Sequence, residues 1–270
     1  MNADIISWLE CAIAYSGKEQ LFSRLLAKHK TASAVVCSEL APDSARKQLA
    51  LRTLSICSDE NITILTREDK RFPACFAGEN APIVLYVKGN AQLLSASGSV
   101  GIIGAREPCR YSLDVCAQFT RELAQSGKTI VSGFARGIDK CAHLTCLNSG
   151  GRTIAVLGSG IGCDYPYGSL EMQKEIAASG AVISEFTVLS KPVRSNFIKR
   201  NRLIASLCDK LLVVQASSSS GCLSTVSYML ELGKEVFVIP PHSVRDASFA
   251  GQAALIRDGA RIAFEPQDIL

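Results

Sequence analysis

The sequence predicts an α/β fold: a doubly wound, mostly parallel sheet covered by helices on both faces, with a small helical domain in front of it. Three observations carry this. From Ser99 onward short apolar runs recur: "SVGIIGA", "KTIVSGFA", "RTIAVLGSG", "AVISEF", "KLLVVQAS", "EVFVIP" and "ARIAFE". Between most of them lie amphipathic stretches such as "LDVCAQFTRELAQSG" and "LSTVSYMLELGK", and strands alternating with helices build a parallel sheet. Before them, residues 1 to about 58 show helical spacing and no strand pattern.

In order along the chain, Trp8, Leu9, Ala12 and Ile13 are spaced for one helix face, and Leu21, Leu25 and Leu26 for a second. This places a helical domain at 1–63. It lacks the paired glycines of a helix-hairpin-helix turn, so DNA binding is not expected of it alone. The stretch from 59 to 98 is transitional. It is rich in prolines and glycines, with one clear strand at Ile83–Val87. The domain at 64–270 then carries the sheet.

Composition sets the bounds. The 270 residues are 47% apolar and 20% charged, enough for a full core and unlike a disordered chain. A net charge of +4 is too small to imply an acidic partner, so local clustering has to make that case. Eleven scattered cysteines without C-x-x-C spacing read as free thiols, not as a disulfide framework or a zinc site. The N-terminus has no basic n-region, and no apolar run reaches the ~18 residues of a membrane span. A cytoplasmic protein is expected.

Ligands of parallel sheets bind beyond the carboxyl ends of the strands. There the chain places "GAREPCRYS" with Arg106 and Arg110, "SGFARGID" with Ser132, Gly133, Gly137 and Asp139, "LGSGIGCDYP", Glu185, and "SSSSGCLST". Small residues free backbone N–H groups to face a ligand, and helix N-termini add partial positive charge. An anion site follows. "GSGIG" misses the G-x-G-x-x-G spacing, and Gly127-Lys128-Thr129 has Glu122 where a Walker A loop needs Gly.

"SNFIKRNRLIAS" identifies the anion. From Phe186 to Cys208 stand Lys191, Arg194, Lys199, Arg200 and Arg202, without one acid. Five cations beside several phosphate-sized turns suit a polyphosphate backbone. Phe197 among them offers a ring for base stacking, the way single strands are held without sequence choice. Each feature alone has a plainer reading, a solvated face for the charges and a core position for Phe197. Their coincidence at the ligand edge favours the nucleic acid.

The motifs "GAREPCRYS", "SGFARGIDKCAH", "GGRTIAVLGSGIGCDYP", "ISEF", "FIKRNRLIASL", "SGCLSTV" and "GKEVFVIP" resemble those of the DprA/Smf family of bacterial DNA-processing proteins, in order and spacing, from about residue 64 on. The resemblance implies an extended Rossmann fold, binding of single-stranded DNA, loading of the recombinase RecA onto it during natural transformation, and a homodimer formed through the Rossmann domain. Arg106 looks like the family's phosphate-binding arginine. Arg194 falls at a basic position, Phe197 at the aromatic one, and Arg200, Asn201 and Arg202 form the R-N-R. Gly221 and Thr225 belong to the S-G-x-L-x-T turn, and Gly133 completes the expected DNA-binding set. Cys109, Ser112 and Ala253 depart from the residues usual there. The chain ends at Leu270, soon after the last strand, so no C-terminal winged helix is expected.

An enzyme is the rival. Lysine-decarboxylase-like nucleotide hydrolases carry P-G-G-x-G-T-x-x-E, and Tyr228 stands where that Glu belongs. A catalytic set of Ser132, Asp139 and His143 competes with a helix-capping use of Asp139. Glu185 beside the cations reads as an ion-pair partner. The expectation is a binding protein with no catalytic residues, metal or cofactor.

Overall fold

The computed structural model describes residues 2–270, with side chains from Asp4 onward. Four helices come first: α1 (Asn2–Ala14), α2 (Glu19–His29), α3 (Ala32–Glu39) and α4 (Ser44–Asp59). Their boundaries follow from local chemistry. Thr31 Oγ1 accepts from the Ala34 N–H, and the Asp43 carboxylate accepts from Ala45 and Arg46 N–H. Each such cap satisfies donors a helix start leaves open and is worth about 1 kcal/mol. Trp8 and Leu9 are fully buried, with Trp8 edge-on to Phe22 at 5.6 Å. Leu21 is not a core residue as the spacing suggested: it is 46% exposed, and Phe22 is buried in its place. Phe22, Leu25 and Leu26 stand at i, i+3 and i+4 on the inward face, and Leu21 lies one residue, 100°, off it. The same apolar cluster continues into Val84, Tyr86, Ala155 and Val182 of the sheet.

The sheet has nine strands: β1 (Ile62–Thr66), β2 (Val84–Gly89), β3 (Ser99–Ile103), β4 (Thr129–Ser132), β5 (Arg152–Val156), β6 (Ala181–Ser184), β7 (Lys210–Val213), β8 (Glu235–Val238) and β9 (Arg261–Ile262). Their spatial order is β1-β2-β6-β5-β4-β3-β7-β8-β9. Strands β3 to β9 pair in parallel, and β1 and β2 extend the sheet past β6 in antiparallel register, Ile62 opposite Lys88. Every apolar run from Ser99 on forms a strand, while β1 is an addition to the sequence reading.

Adjacent residues of the buried strands enter opposite layers, because side chains alternate along a strand. Ile103, Val131 and Val213 meet Leu203, Ile204 and Met229 of α8 (Arg194–Leu207) and α9 (Leu223–Glu231). Ile102, Ile130 and Leu212 meet Phe119, Leu123 and Cys146 of α5 (Arg110–Gln125) and α6 (Ile138–Asn148). Helices α7 (Leu170–Ser179) and α10 (Ala250–Arg257) complete the winding. The strand order runs outward from β3 through β4 on one side and from β7 on the other. That reversal opens a crevice at the carboxyl ends of β3 and β7, where doubly wound sheets bind ligands. Among the described residues no helix is long and apolar enough to cross a membrane.

Candidate nucleic-acid interface

A cavity of about 790 Å³ occupies that crevice. The β3–α5 loop supplies Gly104, Ala105, Arg106 and Glu107, the β7–α9 loop supplies Gln215, Ser217, Ser219, Ser220 and Gly221, and α8 forms the third wall. The loops are fixed by close backbone approach. A Cβ on Gly137, at φ +77°, would lie 2.3 Å from Ala105 O, so only glycine lets the β4–α6 loop seat there. Ile138 N donates to Ala105 O at 3.1 Å. Gln215 bridges two walls: its Oε1 accepts from Cys109 N at 3.0 Å and its Nε2 donates to Ser248 Oγ at 3.1 Å.

Seven of the nine residues expected from sequence line this cavity: Arg106, Arg194, Phe197, Arg200, Asn201, Gly221 and Thr225. Gly133 and Arg202 do not. Arg106 and Arg194 are exposed at the rim, and Lys191 is exposed beside Pro192, a further lining residue. Phe197 is half-buried. Its ring rests on Gly158, where a Cβ would come within 2.6 Å of it. Tyr165 packs against it at 5.3 Å, and the Arg106 and Arg200 guanidinium carbons lie 5.8 and 5.9 Å from its centroid. These are favourable cation–π distances.

Arg200 has a task other than the phosphate contact expected of it. It is 4% exposed. Its Nη1 donates to the carbonyls of Gly133, just beyond β4, and Val156, the last residue of β5, and its Nε to Asn201 Oδ1 at 3.1 Å. Gly133 is glycine because a Cβ there would lie 2.6 Å from that guanidinium. Burial pulls the Arg200 guanidinium down to about 10, against the pull of Asp139. Burial likewise pushes the Asp139 carboxyl up, although Arg200 opposes it. Asn201 Nδ2 donates to Ser224 Oγ at 2.8 Å and to Gly221 O at 3.2 Å, which ties α8 to the start of α9. Thr225 is buried at the cavity wall, and its Oγ1 has no partner among the described residues.

Arg202 and Lys199 turn away from the cavity. Arg202 Nη2 lies 2.6 Å from Glu185 Oε2, and Lys199 Nζ lies 2.6 Å from Glu19 and 3.3 Å from Glu185. Burial pushes the Glu185 carboxyl up, and the two cations hold it back. Glu185 is the ion-pair partner that its position suggested.

Ser132 lies within hydrogen-bonding reach of Asp139, but His143 joins neither of them, so no Ser–His–Asp relay forms. Ser132 Oγ donates to Ile102 O at 2.6 Å, and His143 Nδ1 sits 2.7 Å from Thr153 Oγ1. Burial drives His143 down to about 3, so it is neutral. Asp139 stands one residue inside α6 instead of capping it, and its Oδ2 accepts from Ala135 N at 3.2 Å. No cluster of three or more metal-ligating side chains occurs among the described residues. Sequence reasoning passed over Tyr165 and Gln215, although "CDYP" was in view as a strand-end loop. The assembled site offers exposed guanidiniums, an accessible ring and small polar residues. It can hold a phosphodiester backbone and stack a base.

Comparisons with known proteins agree with this geometry. A family model described as DNA recombination-mediator protein A matches residues 63–270. DNA processing protein DprA of Bacillus subtilis is 34% identical over 219 residues, covering 81% of this chain and 73% of that one. Protein Smf of Synechocystis is 38% identical over 216 residues, covering 78% of this chain and 54% of that one. This chain thus spans about half the length of the Synechocystis relative. The X-ray structure of DprA from Streptococcus pneumoniae superposes with a TM-score of 0.80 at 28% identity, covering 97% of this chain and 96% of that one. DNA processing protein A from Helicobacter pylori, described for its single-stranded DNA binding mode, gives 0.69 at 30% identity, covering 78% and 95%.

Proposed function

The chain belongs to the DNA recombination-mediator protein A family, and from that premise we propose that it binds single-stranded DNA without sequence preference in the crevice between β3 and β7. The observation that carries this is the half-buried Phe197 ring at a cavity rimmed by Arg106 and Arg194. A duplex keeps its bases stacked inside and offers that ring nothing, whereas a single strand presents a free base face. The single-strand description of the Helicobacter pylori relative supports the same reading.

The test is fluorescence anisotropy with a short oligonucleotide, single-stranded and duplex, across a salt series. Arg106 and Arg194 are exposed cations of the cavity lining, and Lys191 is exposed next to it. Three neutralised phosphates give a slope of about −2 in log affinity against log salt, at ~0.7 per phosphate for single strands. Arg106→Ala should weaken binding equally for all sequences and lower the slope by about 0.7. Equal affinity for duplex, or an unchanged slope, would overturn the reading.

Loading of RecA, action in the cytoplasm and a homodimer are part of the same proposal. Support for the dimer comes from apolar side chains left in solvent, with Phe264 76% and Ile262 37% exposed along the β9 edge. Such an edge suits a two-fold contact. Sedimentation showing only monomer at micromolar concentration would reject the dimer. Unchanged RecA filament growth on DNA when the protein is added would reject the loading role.

A further inference from the structure

The loop from 157 to 169, between β5 and α7, is held at several points. Gly162 N donates to Gln173 Oε1 at 3.0 Å, and Gln173 Nε2 donates to Cys163 O at 2.9 Å, with Gln173 itself buried. The Asp164 carboxylate accepts from Ser169 N at 2.8 Å. Gly160 N donates to Ser190 O at 2.9 Å, which ties the loop to the segment leading into α8. This frame holds two tyrosines out in solvent. Tyr165 is 37% exposed and lines the cavity against Phe197, and Tyr167 is 91% exposed.

A single exposed tyrosine needs no explanation. This one stands two residues from an aromatic pair at the mouth of a cation-rimmed cavity. Two residues span at most about 7 Å, on the order of the step between bases in an extended strand. The loop's one acid, Asp164, accepts from backbone N–H groups that hold its carboxyl below the usual range and keep it ionised, so the path of a phosphate must run on the Tyr167 side and clear of it.

We propose that Tyr167 is a second base-stacking platform, reached by the strand as it leaves the Phe197 pocket, with Tyr165 buttressing Phe197 between them. This rests on the single-strand reading above. The strand path would then extend past the cavity and over the β5–α7 loop.

The test measures affinity of the full chain for a thymidine trinucleotide and for an oligothymidylate of about eight nucleotides. The variants are Tyr167→Ala, Tyr167→Trp and Phe197→Ala. Stacking of one base corresponds to about 5- to 150-fold in affinity. Tyr167→Ala should weaken the longer oligonucleotide by that factor and leave the trinucleotide unchanged. Tyr167→Trp should restore binding, and the salt slope should not move. Removing the bases but not the sugars and phosphates from one end of the longer oligonucleotide should abolish the difference between Tyr167→Ala and the parent. Parent-like binding of the longer oligonucleotide by Tyr167→Ala would overturn the platform while leaving the Phe197 site intact. Phe197→Ala without effect on either oligonucleotide would instead sink the single-strand reading, and the platform with it.

Discussion

Substitution of Arg200 by Ala separates the two tasks that a buried arginine in a cation-rich motif can have. The guanidinium bonds the Gly133 and Val156 carbonyls, faces Asp139, and is 4% exposed. Removing it leaves a buried carboxyl without its counter-charge and two strand-end carbonyls without a donor. Breaking a buried pair on one side costs about 3–5 kcal/mol, an upper range here because Arg200 and Asp139 attract each other through space and not in ion-pair contact. The carbonyls would add about 1–3 kcal/mol each if dry, but Arg200 itself lines the cavity, so removing its side chain opens a way for water to reach them. Asp139 already has its carboxyl pushed up by burial, so it takes a proton readily once Arg200 is gone, and part of the loss is recovered. The lower end, about 3 kcal/mol, is the expectation, and for a chain of this size it lowers Tm by roughly 6–12 °C. Arg200→Lys should rescue little, because an ammonium lacks the planar fork that reaches both carbonyls.

The assay is thermal unfolding by circular dichroism, paired with DNA anisotropy well below the transition. Arg106→Ala is the contrast. Its side chain is exposed, so Tm should stay within about 2 °C, as for a surface change of ~0.5 kcal/mol, while affinity falls. An Arg200→Ala protein that melts with the parent yet loses DNA would refute the interior role and return Arg200 to the phosphates.

Two further outcomes follow from packing and burial. Gly158→Ala would put a methyl 2.6 Å from the Phe197 ring. It should cost about 1–3 kcal/mol of stability and lower DNA affinity toward that of Phe197→Ala; a variant unchanged on both counts would show slack around the ring. His143 is held neutral down to about 3, against an ordinary 6.5. Between those values the unfolded chain binds one more proton, so stability falls as pH drops below about 6.5, by roughly 2 kcal/mol at pH 5. His143→Gln should flatten that part of the denaturant-midpoint profile by the same amount, and an equally steep profile would place the titration elsewhere.

Most of the parallel strands, β3 to β8, were readable because they are buried over most of their length on both sides. Runs such as "VGII" and "LLVV" stay apolar for several residues, which an exposed helix face does not. Strand β1 was hidden for the opposite reason. "ITILT" follows α4 after only two residues, and its partner, β2, begins 18 residues after it ends, so only a distant antiparallel pairing makes it a strand. The one local sign is Asn61, in the left-handed region at φ 53°, a conformation Asn tolerates better than most residues. The site's location at the strand ends was legible from glycines and small residues. The buttressing of Phe197 by Tyr165 was not, because the contact joins the β5–α7 loop to α8 and leaves no mark in either segment alone.

The division of labour within "SNFIKRNRLIAS" was hidden in plain composition, and helix geometry accounts for it. On α8, Lys199 and Arg202 stand three residues apart and share a face. That face meets Glu19 of α2 and Glu185 beyond β6. Phe197, Arg200, Asn201 and Ile204 fall at i, i+3, i+4 and i+7, the spacing of another stripe, and all four line the cavity. Glu185 was legible as an ion-pair partner, but which cations it takes was not, and Glu19 lies 180 residues from Lys199. Buried charges must be paired, and once those pairs and the Arg200 clamp are formed, Arg194 is the arginine of this helix left at the rim. The positive charge at the crevice therefore depends as much on Arg106, carried by a different loop, as on the motif itself. The β3–β7 strand reversal is what brings the two together, so the candidate binding edge is a product of topology before it is a product of any one segment.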